Sequence, residues 1–276
     1  MTSALTKYNN LTQRLITAFL GAALIVTAII LSEWAFFVIF FIICLFTILE
    51  FYKLVGLDGM LPLKFWGSLC GLVIYSLIFL IENGVLSHHF YFIIFPISSS
   101  IFFVKLYKKS DKKPFTNIAF TFLGVIYVAI PISLFSIIAF THGDYSWQLI
   151  VGILLLHWAS DTGAYFAGIR FGKTKLFERI SPKKSWEGSI GGAILACIFA
   201  YGISRYFLEL DIWEWFVIAA ITVIAGTYGD LIESLFKRSI QIKDSGSSIP
   251  GHGGFLDRFD GLLLSLPFIM VFLRFF

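Results

Sequence analysis

The stretch WAFFVIFFIICLFTIL, Trp34 to Leu49, carries five phenylalanines and no charged residue. Crossing the hydrocarbon core of a bilayer takes about 20 mostly apolar residues in helical form, because only a helix satisfies every backbone N–H and C=O without water. The stretch therefore reads as a membrane span, and the whole chain has the matching composition. Of 276 residues, 58% are hydrophobic and only 14% charged, too apolar for an ordinary water-soluble globule. The expected fold class is an all-α integral membrane protein.

Outward from Trp34, similar runs lie at Leu15–Leu31, Phe65–Ile81, Phe90–Val104, Asn117–Ala139, Leu149–Gly168, Ser189–Phe207, Trp213–Leu235 and Gly261–Phe276, which makes about nine spans. Lys7 and Arg14 precede the first run as they would in a signal peptide, but no small-residue cleavage site interrupts it, so it reads as a retained anchor. Lys and Arg collect in cytoplasmic loops, which gives an independent check. With a cytoplasmic N-terminus, nineteen of the 21 Lys and Arg residues fall inside and only Arg205 and Arg274 outside. The C-terminus is then expected on the opposite side.

Two regions differ in kind. Residues 1–148, spans one to five, hold almost nothing that lipid and helix packing do not explain. The basic run KLYKKSDKK at 105–113 reads as a topology determinant, and Glu50 and Glu82, near span ends where a carboxylate reaches water, are given no role. Residues 149–276, spans six to nine, carry the two longest cytoplasmic loops, roughly 169–188 and 236–260, and polar residues intrude into the spans that lead to them. This is the expected catalytic region. Cys44, Cys70 and Cys197 lie within spans without metal-ligand spacing and read as packing residues. The net charge of +4 is accounted for by topology and implies no nucleic-acid partner.

In span six, His157 and Asp161 share one helical face. An ionisable residue in a span marks a functional site by default; Asp161 is read that way, whereas His157 is read as tying helices together. Span eight ends TYGDLIESLFKR, which sets Asp230, Glu233 and Ser234 on one face at a helix C-terminus, whose dipole favours a cation. Hard oxygen ligands with no His or Cys suit Mg²⁺ over zinc or copper. Glu233 is read as an i to i+4 partner of Lys237, which leaves Asp230 unexplained. The segment KDSGSSIPGHGGFLDRFDG, Lys243 to Gly261, follows. Its glycines permit close backbone approach to a ligand, Asp257 and Asp260 add oxygen donors, and Lys243, His252 and Arg258 suit phosphate oxygens. A cation seat beside an anion seat at the start of span nine is the composition of a site for metal-bound polyphosphate. The chain has no GxxxxGK[ST], GxSxG or HExxH pattern, so covalent Ser catalysis and zinc hydrolysis are poorly supported.

The run SLFKRSIQIKDSGSSIPGHGGFLDRFD, Ser234 to Asp260, resembles the signature of the phosphatidate cytidylyltransferases, or CDP-diacylglycerol synthases. A second block, SDTGAYFAGIRFGKTKLFERISPKKSWEGSIGG at 160–192, is similar to the same family, with Ser185 where the family has threonine. The resemblance covers the C-terminal half and implies the reaction of CTP with phosphatidate to give CDP-diacylglycerol and pyrophosphate. It also implies a Mg²⁺ requirement, with a second cation as an option, and a homodimer. The family's catalytic aspartates carry over onto Asp230 and Asp257, expected to converge on the metal. Lys184, Lys243 and Arg258 are expected to neutralise phosphate oxygens, while Asp244, Asp260, Glu187 and Asp161 orient metal water or basic side chains, Asp161 also being a candidate metal ligand. Lys237, Arg238, His252, Gly253, Gly254, Ser185 and Glu187 complete the expected substrate site with Lys184. Because phosphatidate keeps its tails in the leaflet and CTP is cytosolic, the site is expected at the cytoplasmic face of a bacterial plasma membrane. The rival readings are a CTP-dependent kinase of a polyprenol or similar lipid, and an ion-coupled transporter using Asp161, Asp230 and His157. No paired broken helices of the transporter kind stand out.

Overall fold

The computed structural model describes residues 2–109, 111–242 and 253–276, with backbone alone for residues 2–16. The described chain is almost entirely helical. In order the helices are α1 (Thr2–Leu31), α2 (Glu33–Leu57), α3 (Lys64–Glu82), α4 (Ile94–Leu106), α5 (Pro114–Gly124), α6 (Ile130–Ala139), α7 (Trp147–Phe171), α8 (Trp186–Ile203), α9 (Ile212–Ser239) and α10 (Leu256–Phe275). A 3-10 turn at His88–Ile93 leads into α4, and a π turn at Val125–Ala129 joins α5 to α6.

Among the described residues seven helical segments are long and apolar enough to cross a membrane: Glu33–Leu57, Lys64–Glu82, His88–Leu106, Pro114–Ala139, Trp147–Phe171, Trp186–Ile203 and Ile212–Ser239. Six of them contain one of the expected runs whole, and Trp186–Ile203 contains the expected run Ser189–Phe207 only as far as Ile203. The first expected run is helical within α1, and the last is helical in α10 as far as Phe275. The chain is thus an all-α membrane protein. Besides helices and their connections, the described residues form a small antiparallel hairpin of β1 (Lys175–Phe177) and β2 (Ser181–Ser185), in the polar loop expected at roughly 169–188. No alternating apolar pattern announces it. Its open end is fixed instead by Glu187, whose carboxylate accepts from Lys173 N and Thr174 N, each at 3.1 Å.

The described helices form two compact units, 2–76 with 92–129 and 253–258, and 77–91 with 130–242 and 259–276. In the first, α1 and α2 are separated by Ser32 alone, whose Oγ caps α2 by accepting from Ala35 N at 3.1 Å. Tyr52 crosses from α2 to donate its hydroxyl to Thr121 O at 2.6 Å, in the turn before the π segment. Asn117 Oδ1 and Thr121 Oγ1 accept from Leu61 N and Leu63 N at 2.7 and 2.9 Å, so α5 carries the polar partners of the α2–α3 connection.

One expectation for this unit is corrected, that for Glu50. Lys105, in the basic run, has a buried ammonium paired with Asp111 and donating to Leu61 O at 3.1 Å. The hydrogen bond from Lys105 holds the Asp111 carboxyl below the usual carboxylate range. Glu50 does not reach water. It is 5% exposed and its Oε2 accepts from Phe255 N at 2.9 Å, because helix α2 continues to Leu57 and the side chain faces protein.

The second unit is built on backbone contact between α7 and α8. A Cβ at Gly163 would lie 2.5 Å from Gly191 O, and one at Gly192 would lie 2.8 Å from Ser160 O. Small residues here let the two helices touch, the usual way polypeptide packs where lipid removes the hydrophobic driving force. Helix α9 starts on a reciprocal cap, with Glu214 Oε2 accepting from Asp211 N at 2.6 Å, and seats Trp215 against Gly152 of α7.

Candidate active site

Helix α9 brings Asp230 and Glu233 to its C-terminal end, and glycines on the same face bring α10 against it. A Cβ at Gly229 would lie 2.5 Å from Asp260 O and 2.8 Å from Gly261 Cα. That close approach puts the start of α10 beside Asp230, whose Oδ1 lies 3.0 Å from where a Cβ on Gly261 would be. Asp260 is buried, and its Oδ1 accepts from Gly261 N at 2.8 Å.

Lys184 supplies positive charge from the other side. It stands at the end of β2, one residue before Ser185, whose Oγ caps α8 by accepting from Gly188 N at 3.1 Å. Lys184 Nζ donates to Asp230 Oδ2 at 2.5 Å and to Thr227 O at 3.3 Å. The hairpin and the cap thus fix where the ammonium arrives, and Glu187 fixes the hairpin. This is a different use of Glu187 from the expected contact with metal water or a basic side chain.

Glu233 pairs with Lys237 at 2.5 Å, as its spacing suggests. His157 is buried with its ring against Gly226 and Gly261, so it packs α7 onto α9 and α10, in line with a helix-tying role. Its Nε2 is 3.7 Å from Asp161 Oδ2, too long for a hydrogen bond, and Asp161 is 61% exposed. Among the described residues, no three His, Cys, Asp or Glu side chains converge closely enough to hold one metal ion.

Asp257 belongs to the first unit, in the first turn of α10, where its Oδ2 accepts from Gly254 N at 3.1 Å. Gly253 takes φ +87°, a left-handed conformation that glycine adopts without strain. Arg258 N closes the helix start on Phe255 O at 3.0 Å. Arg238 Nη1 donates to Ile242 O at 3.1 Å, which ends α9. Lys243, Asp244 and His252 lie outside the described residues. Sequence reasoning missed the burial of Glu50 and the Lys184–Asp230 pairing.

The sequence profile of the cytidylyltransferase family matches residues 12–276. The phosphatidate cytidylyltransferase of Haemophilus influenzae is 38% identical over 168 residues, which cover 59% of this chain and 58% of that protein. That of Staphylococcus haemolyticus is 40% identical over 161 residues, 58% of this chain and 60% of that protein. That of Staphylococcus aureus is 37% identical over 161 residues with the same coverage, 58% and 60%. The chain therefore spans a little under two thirds of the length of the curated relatives it matches. With a profile that extends over nearly all of its residues, the chain belongs to the cytidylyltransferase family.

Proposed function

We propose that the chain transfers a cytidylyl group from CTP to phosphatidate, giving CDP-diacylglycerol and pyrophosphate. The observation that carries this reading is the Lys184–Asp230–Asp260 cluster, built from the blocks that resemble the signature of phosphatidate cytidylyltransferases. The lipid phosphomonoester is its own nucleophile, since its second pKa is about 6 and it is largely ionised near neutral pH. A lipid phosphate oxygen bonds to the α-phosphorus of CTP as the bond from that phosphorus to the β-phosphate bridge breaks, and pyrophosphate leaves with the electron pair. No strong general base is needed. Catalysis of this kind is mostly positioning and charge stabilisation.

Asp230, with Asp260 on the helix packed against it, suits a divalent cation: carboxylates are the donors Mg²⁺ takes, typically one or two of them, with water and phosphate oxygens filling its shell. Bound there, the ion would relieve repulsion between the two anionic substrates. A second cation beside it is compatible with the same chemistry. Lys184 holds Asp230 in place and offers its ammonium to phosphate oxygens, and Asp257 keeps the catalytic role its motif implies. Arg258, Lys237 and Arg238, together with Lys243 and His252, bind phosphate. Gly253 and Gly254 allow close backbone approach, Ser185 and Glu187 hold the Lys184 hairpin, and Asp244 and Asp161 orient basic side chains.

The reading extends to nine spans with a cytoplasmic N-terminus, a homodimer, and a site on the cytoplasmic face of a bacterial plasma membrane. Purified protein given CTP, Mg²⁺ and radiolabelled phosphatidate is expected to form CDP-diacylglycerol and pyrophosphate. Asp257→Asn is expected to abolish product while leaving thermal unfolding unchanged. Formation of CDP and a phosphorylated lipid alcohol instead would reassign the chain to lipid kinase chemistry.

A further inference from the structure

We propose that Glu50 is a positioning residue for this transfer, a latch through which helix α2 fixes the turn that presents Asp257. The inference rests on the reading above and adds a residue from a region whose sequence assigns it no chemistry. A carboxylate within a span is expensive and marks a role by default. Glu50 is buried in α2, and its Oε2 accepts from the backbone N–H of Phe255, 205 residues away, at 2.9 Å. Phe46, one helical turn earlier, stacks on the Phe255 ring with centroids 5.1 Å apart and planes 16° from parallel. One face of α2 thus grips residue 255 twice, by backbone and by ring.

The grip lands next to the catalytic aspartate. Gly254 N donates to Asp257 Oδ2 and Phe255 N donates to Glu50, so consecutive amides before α10 are held by one local and one distant carboxylate. Such donors at a helix start have no partner within the helix. Releasing Phe255 frees the turn that aims Asp257, and a misplacement of about 1 Å at a reacting centre can cost about 10²-fold in rate.

The experiment compares Glu50→Gln and Glu50→Asp in phospholipid nanodiscs, with hydrogen exchange at the Phe255 amide and steady-state kinetics as readouts. Gln keeps an acceptor oxygen at full reach without charge; Asp keeps the charge but retracts it by one methylene. Glu50→Asp is expected to speed exchange at Phe255 and lower kcat by about 10²-fold with KM for CTP little changed, while Glu50→Gln stays near wild type in both. The reverse order, or wild-type exchange at Phe255 in Glu50→Asp, overturns the proposal. If Glu50→Asp does not fold, Phe46→Leu carries the same test, with a smaller rise in exchange expected and wild-type exchange overturning it. If wild-type protein makes no CDP-diacylglycerol, the activity reading fails, and exchange at Phe255 still decides the latch.

Discussion

Lys184 and Asp230 are respectively 25% and 30% exposed, which decides what their ion pair is worth. A pair so open to solvent contributes about 0–1 kcal/mol to stability, far less than a buried one. Its value to the protein is then positional. Lys184→Met is expected to shift thermal unfolding little while lowering cytidylyl transfer by about 10²–10³-fold, the usual cost of removing one preorganised donor. Parallel melting curves and product assays check this, and an unimpaired rate would leave Lys184 a structural residue only. At this scale the sequence was informative about identity and poor about partners. Asp230, Asp260 and Lys184 stand out by residue type and motif, but Lys184 meets Asp230 across 46 positions of chain, and no spacing rule reaches that far. Glu50 was misread because nearness to a span end suggested water, whereas its helix runs seven residues further, to Leu57.

Helices α7 and α8 show how packing between two elements can position a residue of the site. Their glycine contact fixes the two helices from which the Lys184 hairpin hangs. Gly191→Leu is expected to destabilise the protein by about 1–3 kcal/mol, because a side chain must enter space already filled by Ala167 and Gly163 O. Gly202, on the same helix, has open space where a Cβ would sit, with nothing within 4 Å, and serves as the control: Gly202→Ala is expected to be neutral or to stabilise by up to about 1 kcal/mol. Thermal melting of the two variants side by side separates steric conflict from helix propensity. The helices themselves were readable from apolar runs, since hydrocarbon forces nearly every backbone group into helical hydrogen bonds. The hairpin was not, because its strands are short and polar and are held by Glu187 and by Trp186 N donating to Thr174 O at 3.0 Å.

For the whole molecule, the alternation of basic loops makes a directional prediction. In a background free of Cys44, Cys70 and Cys197, Ser87→Cys and Asp144→Cys are expected to react with a membrane-impermeant maleimide on intact cells, whereas Lys112→Cys and Arg179→Cys react only after permeabilisation. The opposite pattern would invert the orientation and remove the cytosolic nucleotide from the site. The all-helical architecture was the most legible level, because composition acts over whole spans and survives errors of a few residues at each end. The glycine contact of α7 and α8 also changes what a systematic mutational survey of this chain would mean. Alanine scanning is designed to subtract atoms and report what they did; along that line of contact it adds them, so a damaging alanine there records the value of emptiness.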